Sequence, residues 1–284
     1  EMRALVESQV LNYLRQRLRP GVPIESRVLR TTGISESALA ERVHDAIRDV
    51  APLTIAFHPG LDGVDIRLTH WGDSPADVAE SAFARVTAAL RERLGAHVYG
   101  DDRVELAALV GQLLRGRGLA LAVAESCTGG LLAKKLTDEA GASDFLRGGF
   151  VTYANEAKRE QLGVQPETLA RYGAVSEQCA REMAECARRE LRADLGLSIT
   201  GIAGPGGGTA EKPVGLVWFA LAMGAEVARE LECEAVTARS FVFPGNRSEI
   251  RERSAQAALD LVRRSLQRVR RTTQASTAPP SRTG

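Results

Sequence analysis

Residues 119–136 read LALAVAESCTGGLLAKKL, an apolar strand-like run joined to a helix-like run through Glu125-Ser126-Cys127-Thr128-Gly129-Gly130. This junction decides the fold class, because a buried strand fed directly into a helix is the repeating step of a layered α/β domain. It also gathers hydroxyls, a thiol and flexible backbone at one turn. Ser126, Cys127 and Thr128 are expected at or before a helix N-terminus, where unpaired N–H groups and the positive end of the helix dipole favour a nearby anion. Two readings stand side by side: a place for a nucleophile or bound phosphate, or a plain cap in which Ser126 or Thr128 closes the first turn.

Working outward, alternating helix and strand is expected from Val98 onward: a helix over 102–115, the strand and turn just quoted, a strand near 150–153 and a helix beginning near Ser176, its cap. Strands over 195–200, 214–223 and 240–243 and a closing helix over 248–268 complete the α/β domain, assigned to residues 98–271. Residues 1–97 read instead as a small α+β unit, with a strand over 26–31, a helix from about Ser35 and a hairpin over 53–68. A second helix follows Ser74-Pro75-Ala76-Asp77, with Ser74 as cap, Pro75 in the first turn and Asp77 reaching back. Residues 272–284, rich in Thr, Ser and Pro, read as a disordered tail. The first residue, Glu1, points to a piece of a longer product.

Composition excludes several classes of function. Lys+Arg 37 against Asp+Glu 36 leaves no global field for a polyanion, so nucleic-acid binding needs a local patch. Gly60-Leu61-Asp62-Gly63 matches the GxxG of KH domains as a string, but that loop joins two helices and this one is expected to join two strands, where a hairpin turn explains the glycines. The arginines at 263, 264, 268, 270 and 271 are read as a solvated helix end. No apolar run approaches the ~20 residues of a membrane span, and no signal-peptide pattern opens the chain, so a soluble, cytoplasmic protein is expected. Cys127, Cys179, Cys186 and Cys233 form neither a disulfide framework nor a zinc motif.

Two further stretches carry chemistry. Residues 201–208, GIAGPGGG, follow an apolar strand, and such a loop either lets backbone N–H groups approach a phosphate or ribose or is merely flexible. It has neither the ending of a P-loop nor a GxGxxG fingerprint. Residues 148–158, GGFVTYANEAK, end a strand at Tyr153 and place Lys158 five residues later. A lysine turned inward, its pKa lowered by burial, serves as general base to a serine, with Tyr153 to orient it or pass a proton; an exposed lysine near a helix start is the plainer account. His44, His58, His70 and His97 all precede residue 98, so no histidine is at hand for that role.

AESCTGG, GGFVTYANEAK, YGAVSE and SITGIAGPGGGTAEKPVGLVWFA together, in this order and spacing, resemble the C-terminal domain of the CinA (competence/damage-inducible) family, the nicotinamide-nucleotide amidases, over about residues 98–266. VLRTTGISESALAERV and VDIRLT in the first hundred residues look like the KH-like middle domain of the same family. The resemblance implies hydrolysis of the carboxamide of nicotinamide mononucleotide to nicotinic acid mononucleotide and ammonia, a step of pyridine-nucleotide recycling. It implies no metal and no organic cofactor, and a homodimer. Carried over by motif position, Ser126 is the nucleophile, Lys158 its base and Tyr153 a catalytic helper. Cys127, Thr128 and Gly129 lie at the oxyanion, Thr200, Gly201 and Gly204 at the nucleotide, and Arg247 at its phosphate. Cys127 is the rival nucleophile. The N-terminal molybdopterin-binding-like domain of full-length members, associated with ADP-ribose pyrophosphatase activity, is not in this sequence. A non-catalytic nucleotide-binding module is the alternative function, and nucleic-acid binding ranks last.

Overall fold

A computed structural model describes residues 2–17 and 23–267. The expected tail, and Arg268, Arg270 and Arg271 of the basic segment, lie outside the described residues. The described residues fall into two compact units, one of residues 2–17, 23–59 and 64–102, the other of 60–63 and 103–267. No helix among the described residues is long and apolar enough to cross a membrane.

The first unit opens with helices α1 (Met2–Leu5) and α2 (Leu11–Arg17), joined by a π-helical stretch. Its sheet is antiparallel throughout, in the order β2 (Thr54–Pro59), β3 (Val64–His70), β1 (Glu25–Thr31), β4 (Val98–Asp101). Helices α3 (Glu36–Val43) and α4 (Ala76–Leu94) supply Leu39, Val43, Phe83, Val86 and Leu90 to a core shared with Leu29, Ile66 and Leu68. The alternation expected from Val98 therefore begins later, because Val98–Asp101 is the edge strand beside β1. Ser74 does not cap α4: Pro75 holds the cap position, and the Ser74 hydroxyl meets His70 Nε2 at 2.8 Å. Gly60 and Gly63 close the β2–β3 hairpin through a 2.7 Å backbone hydrogen bond, so the GxxG string joins strands.

The second unit is a layered α/β domain on a five-stranded sheet ordered β6 (Leu146–Val151), β5 (Leu121–Glu125), β7 (Leu195–Gly201), β8 (Leu216–Met223), β9 (Val236–Val242). The three strands on the β6 side run parallel and the rest antiparallel. Helix α9 (Glu177–Glu190), capped by Ser176 as expected, packs its buried stripe of Cys179, Met183, Cys186 and Ala187 on Ala120, Ala122 and Ala124. Period-two alternation then turns Val123 and Glu125 of β5 to the opposite layer. That layer holds α5 (Leu106–Arg115), α6 (Leu131–Thr137) and α11 (Arg247–Gln267), which contact one another. Short helices α7 (Asn155–Leu162), α8 (Pro166–Tyr172) and α10 (Ala225–Glu230) complete the unit.

Arg263 corrects the expectation of a solvated helix end. It is 1% exposed, and Asp260, one turn earlier on the same helix, takes its guanidinium at 2.6 Å. A charge can be buried here because its counter-charge is built into the same helix face.

The approach of α9 to β7 depends on Gly196, where a Cβ would stand 2.1 Å from the Ala184 carbonyl oxygen and 2.8 Å from Arg188 Cβ. Backbone cannot yield as a flexible side-chain end can. Gly196→Ala is therefore expected to destabilise the domain by roughly 3 kcal/mol or more, the upper end of overpacking costs, read as a lower urea midpoint.

Candidate active site

The turn after β5 is held from both sides. Gly129 and Gly130 adopt φ values of 58° and 91°, a left-handed pair that reverses the chain into α6 and that glycine reaches without a Cβ clash. Glu125, fully buried, bends round the turn, and its carboxylate accepts the N–H groups of Gly130 (3.1 Å), Leu132 (3.0 Å) and Ala133 (2.8 Å). Neither Ser126 nor Thr128 caps α6. Because Glu125 already occupies the helix N-terminus, the free N–H groups and dipole expected there are not available to a ligand.

Ser126 is one residue further along the strand direction and so faces the α9 layer. Its N–H donates to the Ile199 carbonyl of β7 at 2.9 Å, which extends the sheet pairing into the turn. On that side stands Lys158, 1% exposed, one of the two buried residues of α7 with Leu162 a turn later. Lys158 Nζ lies 3.1 Å from Ser126 Oγ, 2.8 Å from the Thr152 carbonyl and 3.3 Å from the Tyr153 carbonyl. Burial lowers the lysine pKa from its ordinary value. Carbonyls only accept, so two of the amine's hydrogens are committed to Thr152 and Tyr153. The third position faces a hydroxyl, which can accept from an ammonium or donate to an amine.

Burial pushes the thiol of Cys127, the rival nucleophile, up to about 11, and that of Cys179 likewise to about 11. Gly129 N–H closes the turn on the Ser126 carbonyl at 3.1 Å, which removes it from the expected oxyanion donors. No backbone carbonyl among the described residues takes the N–H groups of Cys127 and Thr128.

Helix α11 brings the remaining parts together. Asn246 and Glu249 form a capping box: Asn246 Oδ1 accepts from the N–H groups of Ser248 (2.9 Å) and Glu249 (3.1 Å), and Glu249 Oε2 accepts the Asn246 N–H at 2.8 Å. This fixes the first turn, and with it Arg247. The Arg247 guanidinium donates to the Gly204 carbonyl at 2.8 Å and to Tyr153 Oη at 2.6 Å, joining the glycine-rich loop to the strand end that carries Tyr153. Tyr153, an exposed residue, thus meets Lys158 through its carbonyl, while its phenol turns to Arg247. Lys212 pins the far end of the same loop, donating to the Tyr172 carbonyl at 2.6 Å.

Ser126, Lys158, Tyr153, Arg247 and Gly204 are therefore linked by hydrogen bonds. Thr200 is buried and its hydroxyl donates to the Ala174 carbonyl at 2.8 Å, a tie between β7 and the approach to α9. Gly201 lies against β8, where a Cβ would be 2.6 Å from Val217 Cγ2. Residue type and spacing alone gave no role to Glu125, Thr152 or Arg251, which donates to the Thr128 carbonyl. A carboxylate ending the apolar run LALAVAE and the spacing Asn246-x-x-Glu249 are the signals that could have found two of these features.

Comparisons with known proteins converge on one family. Residues 103–266 match the CinA C-terminal domain and residues 26–100 the damage-inducible protein CinA KH domain. A CinA-like protein of Gemmatimonas aurantiaca is 48% identical over 269 residues, 94% of this chain and 60% of that protein. One of Gloeobacter violaceus is 46% identical over 266 residues, with the same coverage of 94% and 60%. The chain thus spans about 60% of the length of these curated relatives. Among solved structures, competence/damage inducible protein CihA of Agrobacterium tumefaciens is 43% identical with a TM-score of 0.53, covering 57% of this chain and 94% of that one. Competence damage-inducible protein A of Klebsiella pneumoniae is 36% identical with a TM-score of 0.52, at 57% and 94% coverage.

Removing the carboxylate that holds α6 has a measurable consequence. Glu125→Ala leaves three N–H groups without their acceptor and is expected to destabilise the fold by on the order of 3 kcal/mol. Glu125→Gln, which keeps one acceptor oxygen, is expected to lose less, both read by urea unfolding.

Proposed function

This chain belongs to the CinA family, and from that premise we propose that its C-terminal domain is an amidohydrolase that converts nicotinamide mononucleotide to nicotinic acid mononucleotide and ammonia. The observation that carries the reading is the buried Lys158 amine 3.1 Å from Ser126 Oγ, with its other hydrogens directed at two carbonyls. The substrate itself comes from the resemblance of the four motifs.

In the amine form, Lys158 accepts the hydroxyl proton as Ser126 Oγ attacks the carboxamide carbon. The N–H groups of Cys127 and Thr128 receive the oxyanion. Collapse breaks the C–N bond, and the Lys158 ammonium protonates the departing nitrogen, releasing ammonia and leaving an ester on Ser126. Water, deprotonated by the same amine, attacks that ester and frees the carboxylate. Arg247, beside the glycine-rich loop, is proposed to hold the phosphate, and its planar donors suit that anion.

Ammonia release from nicotinamide mononucleotide by the purified chain tests the reading, beside a folded Ser126→Ala variant. The variant is expected to lose at least about a thousandfold in kcat; full turnover in it overturns the mechanism. Binding by calorimetry without ammonia release from wild type supports the non-catalytic module instead.

The base has its own signature. Only the neutral amine accepts the serine proton, so kcat/KM is expected to rise with pH through the Lys158 pKa. Burial places that rise below the ordinary lysine value. Lys158→Arg, permanently protonated, is expected to be inactive across the whole profile.

A further inference from the structure

We propose that Arg251 is a positioning residue for the oxyanion donors of the Ser126 turn, an assignment that rests on the serine amidohydrolase reading. Two nitrogens of its guanidinium, Nη2 and Nε, converge on the single carbonyl oxygen of Thr128, at 2.6 and 3.2 Å. Arg251 comes from α11, 123 residues away in sequence, and stands one helical turn after Arg247.

The turn needs such an anchor. The flanking peptides of Thr128 belong to a segment whose next two residues are left-handed glycines, the backbone with the greatest freedom to swing. Glu125 fixes the stretch from Gly130 to Ala133, and the Ile199 carbonyl fixes Ser126. Between these points, among the described residues, the Thr128 carbonyl otherwise accepts only the Leu131 N–H, at 3.3 Å, and its peptide plane is tied to the Ser126 carbonyl by the Gly129 N–H at 3.1 Å. The guanidinium therefore fixes the Thr128–Gly129 peptide plane by its carbonyl; it constrains the plane of the Thr128 N–H through the Thr128 Cα, and that of the Cys127 N–H through the bond from the Gly129 N–H to the Ser126 carbonyl. An ion-assisted pair of hydrogen bonds to one oxygen resists rotation better than a neutral one. Misdirected donors lose their value in the transition state while leaving ground-state binding intact, so the signature is a fall in kcat with KM unchanged.

The test uses Arg251→Met, which keeps the apolar stem and removes every donor, and Arg251→Lys, which restores one. Each is compared with wild type for ammonia release from nicotinamide mononucleotide and for labelling of Ser126 by a fluorophosphonate. In the labelling, Oγ attacks phosphorus, fluoride departs, the hydroxyl proton passes to Lys158, and the phosphoryl oxygen takes the oxyanion's place. Rates are referred to the folded fraction measured by circular dichroism. Arg251→Met is expected to lower kcat about tenfold to a hundredfold with KM within about twofold, a smaller loss than deleting an oxyanion donor outright, and to slow labelling by a similar factor. Arg251→Lys is expected to recover part of both. Folded Arg251→Met with wild-type labelling, or Arg251→Lys no faster than Arg251→Met, overturns the proposal. Wild type that is labelled at Ser126 but releases no ammonia removes the proposed substrate while leaving the role of Arg251 readable from labelling alone.

Discussion

Adjacent side chains of an extended strand point to opposite faces, and at the end of β5 that constraint divides the labour of the site. Glu125 falls on the layer of α6 and α11, Ser126 on the layer of α7 and α9. The carboxylate can then tie down the next helix without touching the hydroxyl. The hydroxyl can meet a buried amine without a counter-charge beside it. Had both fallen on one face, the carboxylate would pair with Lys158 and favour its ammonium form, which is useless as a base. Two functions with opposite electrostatic needs are separated by the thickness of a β-sheet.

Sheet and helices leave the loops to be fixed by single polar contacts, and these come mainly from the start of α11. A capping box at Asn246 and Glu249 sets the helix phase, so Arg247 and Arg251, one turn apart, fall on the same side. Arg247 ties the glycine-rich loop to Tyr153, and Arg251 ties the Ser126 turn at the Thr128 carbonyl. Both reach backbone carbonyls, and a guanidinium suits this task because its donors are rigid and its charge is permanent. Glycine-rich backbone that can approach a ligand closely has little stiffness of its own, and the helix supplies it.

The α/β domain was legible because β5, β7 and β8 are apolar runs of strand length and Ser176 is a cap of the usual type, whereas β6 (LRGGFV) and β9 (VTARSFV) are mixed in polarity and were expected only at their ends, at 150–153 and 240–243. Local signals failed where tertiary structure chose between equal candidates. Ser74 and Pro75 both suit a helix start, and the contact with His70 drew the serine hydroxyl away. Val98–Asp101 has no local mark that assigns it to β1 rather than to the following domain, since strand pairing is a long-range event. Arg263 read as a surface charge because its partner Asp260 matters only once the helix face is known to be buried. In the site, Ser126 stood at a promising turn and Lys158 near a helix start, but residue type and spacing alone favoured a cap and an exposed lysine, and only the family resemblance paired them. That the phenol of Tyr153 faces Arg247 rather than Lys158, and that Glu125 consumes the α6 terminus, depends on side-chain direction, which residue spacing does not encode.

The proposed choice of Ser126 as nucleophile and Lys158 as base rests on burial acting with opposite sign on thiols and amines. Desolvation penalises the charged form of each, so it raises Cys127 to about 11, where no thiolate forms near neutral pH, and lowers Lys158 toward the range in which an amine persists. On the proposed mechanism, the same burial disfavours the thiolate of Cys127 and favours the neutral amine that Ser126 requires. Serine loses little on burial, because a hydroxyl is neutral until the moment its proton leaves. The two carbonyls at Lys158 complete the selection. They hold two hydrogens in either protonation state and leave the remaining position, lone pair or N–H, toward Ser126 Oγ. An imidazole carries one basic nitrogen and one donor and could use only one of those carbonyls. A lysine fits this pocket by valence as well as by pKa.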